Sequence, residues 1–387
     1  MNAPFKPEFM PHPPRIDGSK GLLARGICKT FQAEVLTNVS IDVAPGELLA
    51  LTGPSGAGKT TLCRILAGLE HVEAGSISLG GADLTPLPAG RRRVAFMFES
   101  YALYPHLTVR ENALSPLLAL GGADRAGDNR SVAEMLELLE ISHLAARLPG
   151  ALSGGQKQRV ALARTLVQAP SLFLLDEPIS HLDAKLRHKL RGEIRRRLSA
   201  QSAPVIWTTP DGMEALSVGN RVAVIADGKI EQIGTPEDVW LHPASVQVAR
   251  LLGDPPINLL PGKLQSDGDA LHFQSRGFRL ALPARLAHVA ASLRNAEAFL
   301  GARPDAIALT AVGAPGAVPA EIYSCEPFGK HTIITVDLGD LLLKLKTSAQ
   351  DAIHVGDKIG QMVGLTFSPD GLMLFDATTG RAQPEPN

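Results

Sequence analysis

The chain has 387 residues, which is enough for two domains or for one domain with a large appendage. Hydrophobic residues make up 45% of it and charged residues 20%, values that are ordinary for a soluble globular protein. Lys and Arg total 38 against 39 for Asp and Glu, so the formal net charge of -1 does not indicate nucleic-acid binding. No apolar run reaches the roughly 18 residues that a membrane-spanning helix needs, and the N-terminus lacks the apolar core of a signal peptide. The composition therefore predicts a cytoplasmic globular protein.

The beginning of the chain predicts a leader followed by strands. Residues 1–20 are rich in proline and poor in large apolar side chains, which predicts disorder. Two strands joined by a polar turn follow, over 22–31 and 35–43, and a short apolar strand spans 48–51. Phe31 ends the first of these strands. A core position is the common interpretation for such an aromatic residue, and stacking on a nucleotide base is the alternative.

A glycine-rich loop directly after the apolar strand is the strongest local motif of the chain. Two glycines bracket four residues and are followed by Lys and Thr, which is the phosphate-loop pattern. Such a loop turns backbone N–H groups toward an anion, and the helix that follows adds the positive end of its dipole. The Lys can reach the β- and γ-phosphates of a nucleotide, and the Thr hydroxyl can coordinate Mg²⁺. The predicted nucleotide-binding residues of this region are Gly53, Pro54, Ser55, Gly56, Ala57, Gly58, Lys59, Thr60 and Thr61.

A second glycine motif stands directly before a predicted amphipathic helix over 157–168. Ser153 is placed to cap that helix, and Gly154 and Gly155 permit close approach to the backbone. A plain serine cap would explain Ser153, but it would not explain the two glycines together. The stretch from Ser153 to Gln156 is therefore a second candidate for a phosphate-binding helix start.

An acidic pair follows the apolar strand 172–175. Asp176 and Glu177 stand at the carboxyl end of this strand, where ligands bind in open α/β sheets. Asp176 can hold Mg²⁺, and Glu177 can polarise a water molecule. Another compact apolar strand, 94–98, ends at Glu99 in the same way.

The pattern of elements predicts two domains. Helical periodicity over about 100–155 indicates a helical insert within an α/β domain. Prolines mark a linker near 254–262, after which short alternating runs separated by turns are typical of a small all-β barrel. We therefore predict a nucleotide-binding domain over 21–243 and a β-barrel domain over 244–387.

In combination, these motifs resemble the ATP-binding subunit of ABC transporters. Besides the phosphate loop, the stretch Leu152 to Gln156 matches the family signature, and Leu174 to Pro178 matches the strand that carries the Mg²⁺ ligand and the catalytic glutamate. The resemblance extends over about residues 20–380. Four further stretches resemble the sugar- and polyol-importer branch, which includes the maltose-importer ATPase: 100–106, 234–239, 255–262 and 301–304.

The resemblance implies a P-loop NTPase fold, with a RecA-like core and a helical subdomain, followed by an oligonucleotide-fold-like regulatory domain. It implies an ATPase that uses ATP and Mg²⁺ and lies peripherally at the cytoplasmic face of the inner membrane. The implied partners are two integral-membrane permease subunits, a second ATPase subunit and, indirectly, an extracytoplasmic solute-binding protein, with no nucleic acid.

In the family, two ATPase subunits pair head to tail. Each ATP then lies between the phosphate loop of one subunit and the signature of the other, so Ser153 to Gln156 would serve the partner's ATP. The segment 100–106 lies close to the permease in this branch. Tyr101, Tyr104 and His106 are therefore candidates for docking a membrane partner, and ordinary core or loop positions are an equal alternative.

Two positions depart from the family pattern. Glu99 stands where the family has a glutamine that contacts Mg²⁺ and the attacking water. Glutamate can still ligate Mg²⁺ and is retained as a catalytic candidate beside Glu177, but it lacks the amide donor and adds negative charge. Pro210 stands where the family has a histidine that hydrogen-bonds the γ-phosphate, and proline has neither a side-chain donor nor an N–H. Thr209 could supply a hydroxyl only if the register slipped by one residue.

These departures predict an asymmetric ATPase. Both altered residues belong to the site built on this chain's own phosphate loop, whereas the signature that would serve a partner is intact. The hypothesis is a heterodimer in which this subunit hydrolyses its own ATP poorly, with a homodimer left open. The alternative is a nucleotide-dependent regulatory ABC protein with little or no hydrolysis. An ABC protein that acts on DNA or ribosomes would show a long coiled-coil insert or two cassettes, and the sequence has neither.

Overall fold

The chain forms two compact units that divide between Pro236 and Glu237, whereas the sequence predicts a boundary after residue 243. The computed structural model describes residues 16–119, 125–267, 270–275, 278–286, 297–353 and 355–382. Most of the predicted leader, residues 1–15, lies outside the described residues. Its last part, 16–20, forms a turn in which the Asp17 N–H donates to the carbonyl of Gly80 at 3.1 Å.

The first unit alternates strands and helices, as the sequence predicts for an α/β fold. The bounds of its elements are β1 (Leu22–Thr30), β2 (Glu34–Val43), β3 (Leu48–Thr52), α1 (Lys59–Ala67), β4 (Ala74–Leu79), β5 (Ala82–Asp83), β6 (Val94–Met97), α2 (Val109–Ala119), α3 (Arg125–Leu138), α4 (Gly154–Leu166), β7 (Leu172–Asp176), α5 (Ala184–Ser199), β8 (Val205–Thr209), α6 (Gly212–Val218), β9 (Arg221–Ala226) and β10 (Lys229–Gly234).

The central sheet positions the candidate site. Its strand order is β10-β9-β3-β8-β7-β6, in which β10 is antiparallel to β9 and the other pairs are parallel. Every residue of β3, β7 and β8 is buried, because a parallel sheet is covered on both faces and its strands are continuous apolar runs. The carboxyl ends of β3, β8, β7 and β6 consequently open on the same edge of the sheet.

A smaller antiparallel sheet and a group of helices complete the first unit. The sheet has the order β2-β1-β4-β5, and its buried residues share one hydrophobic cluster with α1 and the central sheet. Helices α2 and α3 lie within the predicted helical insert, 100–155, and pack against each other and against α4, which begins at its end. Among the residues that the structure describes, no helix combines the length and hydrophobicity that a membrane-spanning segment requires.

The second unit is largely β-structure, which confirms the all-β prediction for the C-terminal part of the chain. Two helices precede the strands, and the elements are α7 (Pro236–Leu241), α8 (Val246–Leu251), β11 (Asn258–Asp267), β12 (Ala270–Ser275), β13 (Phe278–Ala281), β14 (Glu297–Ala302), β15 (Ile307–Thr310), β16 (Val318–Pro327), β17 (His331–Asp337), β18 (Leu342–Ser348), β19 (Met362–Phe367) and β20 (Leu372–Asp376).

The strands of the second unit form two antiparallel sheets of five strands each. Their orders are β13-β12-β11-β14-β20 and β15-β19-β16-β17-β18. Leu260 and Leu300 of the first sheet and Ile334 and Leu345 of the second are buried in one shared hydrophobic cluster. The two sheets therefore enclose a single core, although the hydrogen bonding between the described strands does not close them into one ring.

Arg303 attaches the two helices to the sheets of the second unit, which explains why the boundary lies at the start of α7 and not after this helix. Its guanidinium is buried and donates to the carbonyls of Ala249 and Leu252 and, at 2.8 Å, to that of Trp240. The guanidinium also lies over the Trp240 ring, 3.8 Å from its centroid. Burial lowers the pKa of Arg303 to about 10, which still leaves the side chain charged at neutral pH.

We expect Arg303→Met to destabilise the second unit. The change leaves the carbonyls of Ala249, Leu252 and Trp240 without a donor and should lower the free energy of unfolding by about 3 kcal/mol. Urea unfolding followed by Trp fluorescence measures the loss. Arg250→Met, an exposed arginine on α8, is the matched control and should change stability by less than about 0.5 kcal/mol. Equal losses in the two variants would contradict this role of Arg303.

Candidate nucleotide-binding site

The loop between β3 and α1 has a backbone that only glycine tolerates at two positions. A Cβ atom on Gly53 would lie 2.0 Å from the carbonyl oxygen of Ile225. Gly58 has φ +103°, and a Cβ atom there would lie 2.6 Å from a methyl group of Leu36. Gly58 is also the N-cap of α1, and this position makes no side-chain capping hydrogen bond to the helix. A helix start without a capping side chain suits the predicted anion site.

Lys59 is the buried cation of this loop. It is 6% exposed, and its Nζ donates to the carbonyls of Gly53 at 2.7 Å and Pro54 at 2.9 Å. Burial lowers the pKa of Lys59, whereas the carboxylates of Glu177, Asp176 and Glu99 act to raise it. The three predicted acidic residues therefore come close enough to the phosphate loop to act on its lysine.

Strand register explains why these groups meet. Thr52, the last residue of β3, lies beside Thr209 at the end of β8, and Thr208 lies beside Asp176 at the end of β7. Met97 at the end of β6 lies beside Leu175. The phosphate loop, the acidic pair and Glu99 therefore all leave the sheet at the same level, although they are far apart in the chain.

Asp176 has one oxygen that is satisfied and one that is not. Its Oδ1 accepts a hydrogen bond from Thr208 Oγ1 at 2.5 Å. Its Oδ2 is buried and has no hydrogen-bond partner among the described residues. A buried carboxylate oxygen without a partner is unfavourable unless a cation neutralises it, so this atom fits the predicted Mg²⁺.

The described side chains do not supply enough ligands to hold a metal ion without water or substrate. No group of three or more His, Cys, Asp or Glu side chains in the described part of the chain forms a metal-binding cluster. Mg²⁺ characteristically takes one or two protein ligands and completes its octahedron with water and substrate phosphates. Thr60 at the start of α1, Asp176 and Glu99 are the residues that could hold it here.

Glu177 is held in an unusual backbone conformation. Its φ is +49°, which a residue with a side chain rarely adopts. Its N–H donates to both the carbonyl and the hydroxyl of Thr208, each at 3.2 Å. Its carbonyl accepts from Gln158 Nε2 at 2.9 Å and from Ser180 Oγ at 3.1 Å. The Ser180 N–H also donates to this carbonyl, at 3.4 Å, so five hydrogen bonds among the described residues fix the peptide groups on either side of Glu177.

The electrostatics of Glu177 follow from its surroundings. Burial is the main cause that raises the pKa of Glu177, and the nearby carboxylates of Glu99 and Asp176 raise it further. Lys59 and His181 act in the opposite direction. A carboxyl group with a raised pKa is a stronger base than an ordinary one, which suits a residue that polarises water.

The two departures from the family pattern also lie at this edge of the sheet. Glu99 is exposed, and its carboxylate acts on both Lys59 and Glu177. Pro210 is the first residue after β8 and is exposed. The Thr209 side chain is 2% exposed and accepts the N–H of Asp211 at 3.2 Å, so its hydroxyl is turned into the protein.

The signature stretch forms the predicted capped helix start. Ser153 is the N-cap of α4, its Oγ accepts the Gln156 N–H at 3.4 Å, and Gln156 Oε1 accepts the Ser153 N–H at 2.9 Å. A Cβ atom on Gly154 would meet nothing within 4 Å, whereas one on Gly155 would lie 3.1 Å from the carbonyl of His181. Within the described chain, no hydrogen bond joins this stretch to the phosphate loop. The two glycine motifs of one chain therefore do not form one site.

The remaining predicted residues lie at the surface. Phe31 is 55% exposed, with Lys29 Nζ 4.8 Å from its ring centroid, so it is not the core aromatic that is the common interpretation. Base stacking by Phe31 stays a prediction. Tyr104 is 48% exposed, and its ring lies 6.1 Å from that of His106. Tyr101 is half-buried, with its ring edge-on to His181 at 6.0 Å.

Three side chains at this site were not predicted from the sequence. Thr208 hydrogen-bonds Asp176, Gln158 hydrogen-bonds the carbonyl of Glu177, and Arg164 donates to the carbonyls of the loop after Glu99. Gln158 and Arg164 lie on a helix whose polar residues the sequence pattern assigns to solvent. No local signal distinguishes a polar residue that is buried by a distant segment from one that is exposed.

Comparison with known proteins agrees with this geometry. Residues 36–180 match the family model described as "ABC transporter", and residues 300–375 match the model described as "TOBE domain". The chain is 38% identical to the sn-glycerol-3-phosphate import ATP-binding protein UgpC 1 of Rhizobium johnstonii, over 92% of this chain and 94% of that protein. It is 35% identical to the sulfoquinovosyl glycerol transport ATP-binding protein SmoE of Agrobacterium fabrum, over 92% and 98%.

A relative that is named for a different solute and two solved structures also match the chain. The spermidine/putrescine import ATP-binding protein PotA of Pseudomonas fluorescens is 38% identical, over 89% of this chain and 94% of that protein. Among solved structures, the dimeric structure of the bacterial ABC transporter cassette MJ0796 matches with a TM-score of 0.52 and 28% identity, over 56% of this chain and 98% of that chain. A dimeric post-hydrolysis state of the same cassette, bound to ADP and Pi, matches equally well. The chain therefore belongs to the ABC transporter family, whose ATP-binding proteins hydrolyse ATP to drive transport, and it combines an ABC cassette with a C-terminal TOBE domain.

Proposed function

We propose that this chain energises an importer of a sugar, polyol or glycerol-type solute and that it is the degenerate-site member of an ATPase heterodimer. One observation carries the proposal. Strand β8 lies between β3 and β7, so Pro210 leaves the sheet between the phosphate loop and the acidic pair. In the family that the chain resembles, a histidine at the matching position hydrogen-bonds the γ-phosphate, and proline offers no donor there.

We propose the solute class from the names of the proteins to which the chain is similar. Two of them are named for glycerol-containing solutes, and a third is named for polyamines. An ATP-binding subunit does not itself select the cargo, which explains why subunits of similar sequence serve different solutes. We therefore propose the solute as a class, with two permease subunits as direct partners, a solute-binding protein as an indirect partner, and a peripheral position at the cytoplasmic face of the membrane.

The loss of the γ-phosphate contact is not compensated by the neighbouring threonine. Thr209 is part of β8, and its hydroxyl is engaged by the Asp211 N–H and by Glu214. A shift of register would withdraw this hydroxyl from both partners and move the buried strand. Removing one positioned donor of this kind from an active site costs about a hundredfold or more in rate.

Glu99 supports the same conclusion through charge. It joins Asp176 and Glu177 beside a single buried lysine, Lys59. Bound triphosphate would add further negative charge at this place, and the transition state of phosphoryl transfer gains from positive groups. A glutamine at this position would supply an amide donor without the charge, so glutamate weakens the site that this chain builds.

The signature favours a heterodimer over a homodimer. Ser153 and Gln156 form a complete capping box at the start of α4, so the helix terminus that would face a partner's nucleotide is well ordered. In a homodimer, both ATP sites would carry Glu99 and Pro210. In a heterodimer, this intact signature would complete a competent site on the second subunit.

A regulatory protein with little hydrolysis is the second candidate function. The changes at Glu99 and Pro210 favour it, because both weaken the same ATP site. The placement of Glu177 favours retained catalysis, since five described hydrogen bonds hold its backbone and its carboxylate lies near Lys59.

We expect Asp176→Asn to abolish the dependence of nucleotide binding on Mg²⁺. The amide can still accept the Thr208 hydrogen bond, but it no longer offers a negatively charged oxygen to the cation. Binding of a fluorescent ATP analogue, with Mg²⁺ and with EDTA, measures the effect. In the presence of Mg²⁺, the affinity of the variant for the ATP analogue should be about tenfold lower than that of the native chain, which corresponds to roughly 1.4 kcal/mol.

Asp227→Asn is the matched control for this experiment. Asp227 is exposed in the turn between β9 and β10, where its φ is +47°, a conformation that asparagine also adopts readily. This variant should keep the full effect of Mg²⁺. Full retention of the Mg²⁺ effect in Asp176→Asn would show that the residue does not hold the metal.

We expect the two ATPase subunits of the purified transporter to respond unequally to loss of the catalytic glutamate. Glu177→Gln in this chain should lower ATP turnover less than twofold, because its own site contributes little. The corresponding change in the partner ATPase should lower turnover about a hundredfold or more. Equal losses would refute the asymmetry, and a complex that contains only copies of this chain would refute the heterodimer.

The double variant Glu99→Gln/Pro210→His is the complementary control. It restores the amide donor and the imidazole at the two departing positions. In this background, Glu177→Gln should cause a substantially larger loss of turnover than it does in the native chain. An unchanged small effect would mean that the two positions do not explain the asymmetry.

A further inference from the structure

Gln158 is a buried amide whose hydrogen bonds to other parts of the chain all go to one short segment. It lies on α4 and is 1% exposed. Its Nε2 donates to the carbonyl of Glu177 at 2.9 Å and lies 3.4 Å from Ser180 Oγ. Its Oε1 accepts the N–H of His181 at 3.1 Å. Both the nitrogen and the oxygen of the amide therefore hydrogen-bond to the turn 177–181, which follows β7.

The backbone of Glu177, which Gln158 holds, is in a conformation that needs support from its surroundings. Glu177 has a left-handed conformation that residues with a side chain rarely adopt, and such conformations persist only where the surroundings impose them. Thr208 of the neighbouring strand holds the N–H of Glu177. On the carbonyl side, the donors are Gln158 and Ser180, and Ser180 belongs to the same turn. Gln158 is thus the donor that fixes this peptide group from a separate element.

The helix that carries Gln158 is itself fixed at both ends. Its first residues form the capping box of Ser153 and Gln156. Near its last turn, Arg164 donates to the carbonyls of Tyr101 and Ala102, each at 2.8 Å. The position of Gln158 therefore follows that of a rigid helix, and any movement of the helix would act on the turn that contains Glu177.

We propose that Gln158 is a positioning residue for Glu177: it holds the carbonyl of Glu177 so that the carboxylate points at the nucleotide site. The proposal rests on ATP hydrolysis by the family and not on the asymmetry of a heterodimer. Gln158 has no contact with the phosphate loop among the described hydrogen bonds, so it acts through the turn that contains Glu177. Loss of Gln158 should consequently lower the rate of the chemical step and leave ATP binding intact.

The test compares Gln158→Met with Thr165→Val in the full chain. Methionine preserves the volume of the side chain and removes both polar groups. Thr165 is the matched control, because it is equally buried on α4 and its hydroxyl bonds only to the carbonyl of Ala161 in the same helix. Gln158→Met should lower kcat about tenfold or more while KM for ATP changes less than about twofold, and Thr165→Val should change neither.

A double-variant experiment separates positioning from a general structural role. In the Glu177→Gln background, Gln158→Met should cause no further loss of turnover, because the group that it positions is already gone. If the double variant lost turnover by the product of the losses in the two single variants, the proposal would be overturned. A rise in KM for ATP that matched the fall in kcat in Gln158→Met would also overturn it.

Amide hydrogen exchange supplies a readout that does not depend on turnover. In the full chain, Gln158→Met should speed exchange of the amides in 177–183, where the His181 N–H loses its acceptor, and Thr165→Val should not. Unchanged exchange in this segment would overturn the proposal even if the native chain alone hydrolyses ATP too slowly to measure. Slow hydrolysis by the native chain is what the degenerate-site function predicts, so the two proposals fail in different measurements.

Discussion

The parallel pairing of β3, β8, β7 and β6 is the constraint on which the site depends. Parallel strands end at the same edge of a sheet, and the register places Thr52 beside Thr209 and Asp176 beside Thr208. The loop that can bind phosphate and the carboxylates that can act on it are therefore brought together by backbone hydrogen bonds. The side chains add chemistry to an arrangement that the sheet has already produced.

The site at this edge of the sheet contains more acidic than basic side chains. A single buried cation, Lys59, meets three carboxylates, those of Asp176, Glu177 and Glu99. Asp176 keeps one buried oxygen without a hydrogen-bond partner in the described structure, which suits a divalent cation. Glu99 and the exposed Pro210 each lack a donor that the family has at this edge, and the proposed weakening of hydrolysis rests on this combination.

Helix α4 connects the parts of the cassette that must act together. It begins at the capped signature, holds the turn after Glu177 through Gln158, and holds the loop after Glu99 through Arg164. These contacts all lie on one helix, so the signature, the turn after Glu177 and the loop after Glu99 are attached to the same element. The same principle operates in the second unit, where Arg303 fixes two helices to the sheets through buried carbonyls.

The sequence by itself determined the motifs that are contiguous in the chain, because a phosphate loop, a serine cap or an acidic strand end each has a local pattern. It therefore predicted the α/β fold, the family, the helical insert and the all-β C-terminal part. Tertiary structure alone decided the contacts of Gln158, Thr208 and Arg303, whose partners lie far away in the sequence. It also decided that Phe31 is exposed and that the second unit begins at Glu237, at the start of α7. Local patterns carry no information about which distant segment will cover a residue, and burial is what converts an ordinary polar side chain into a structural or catalytic one.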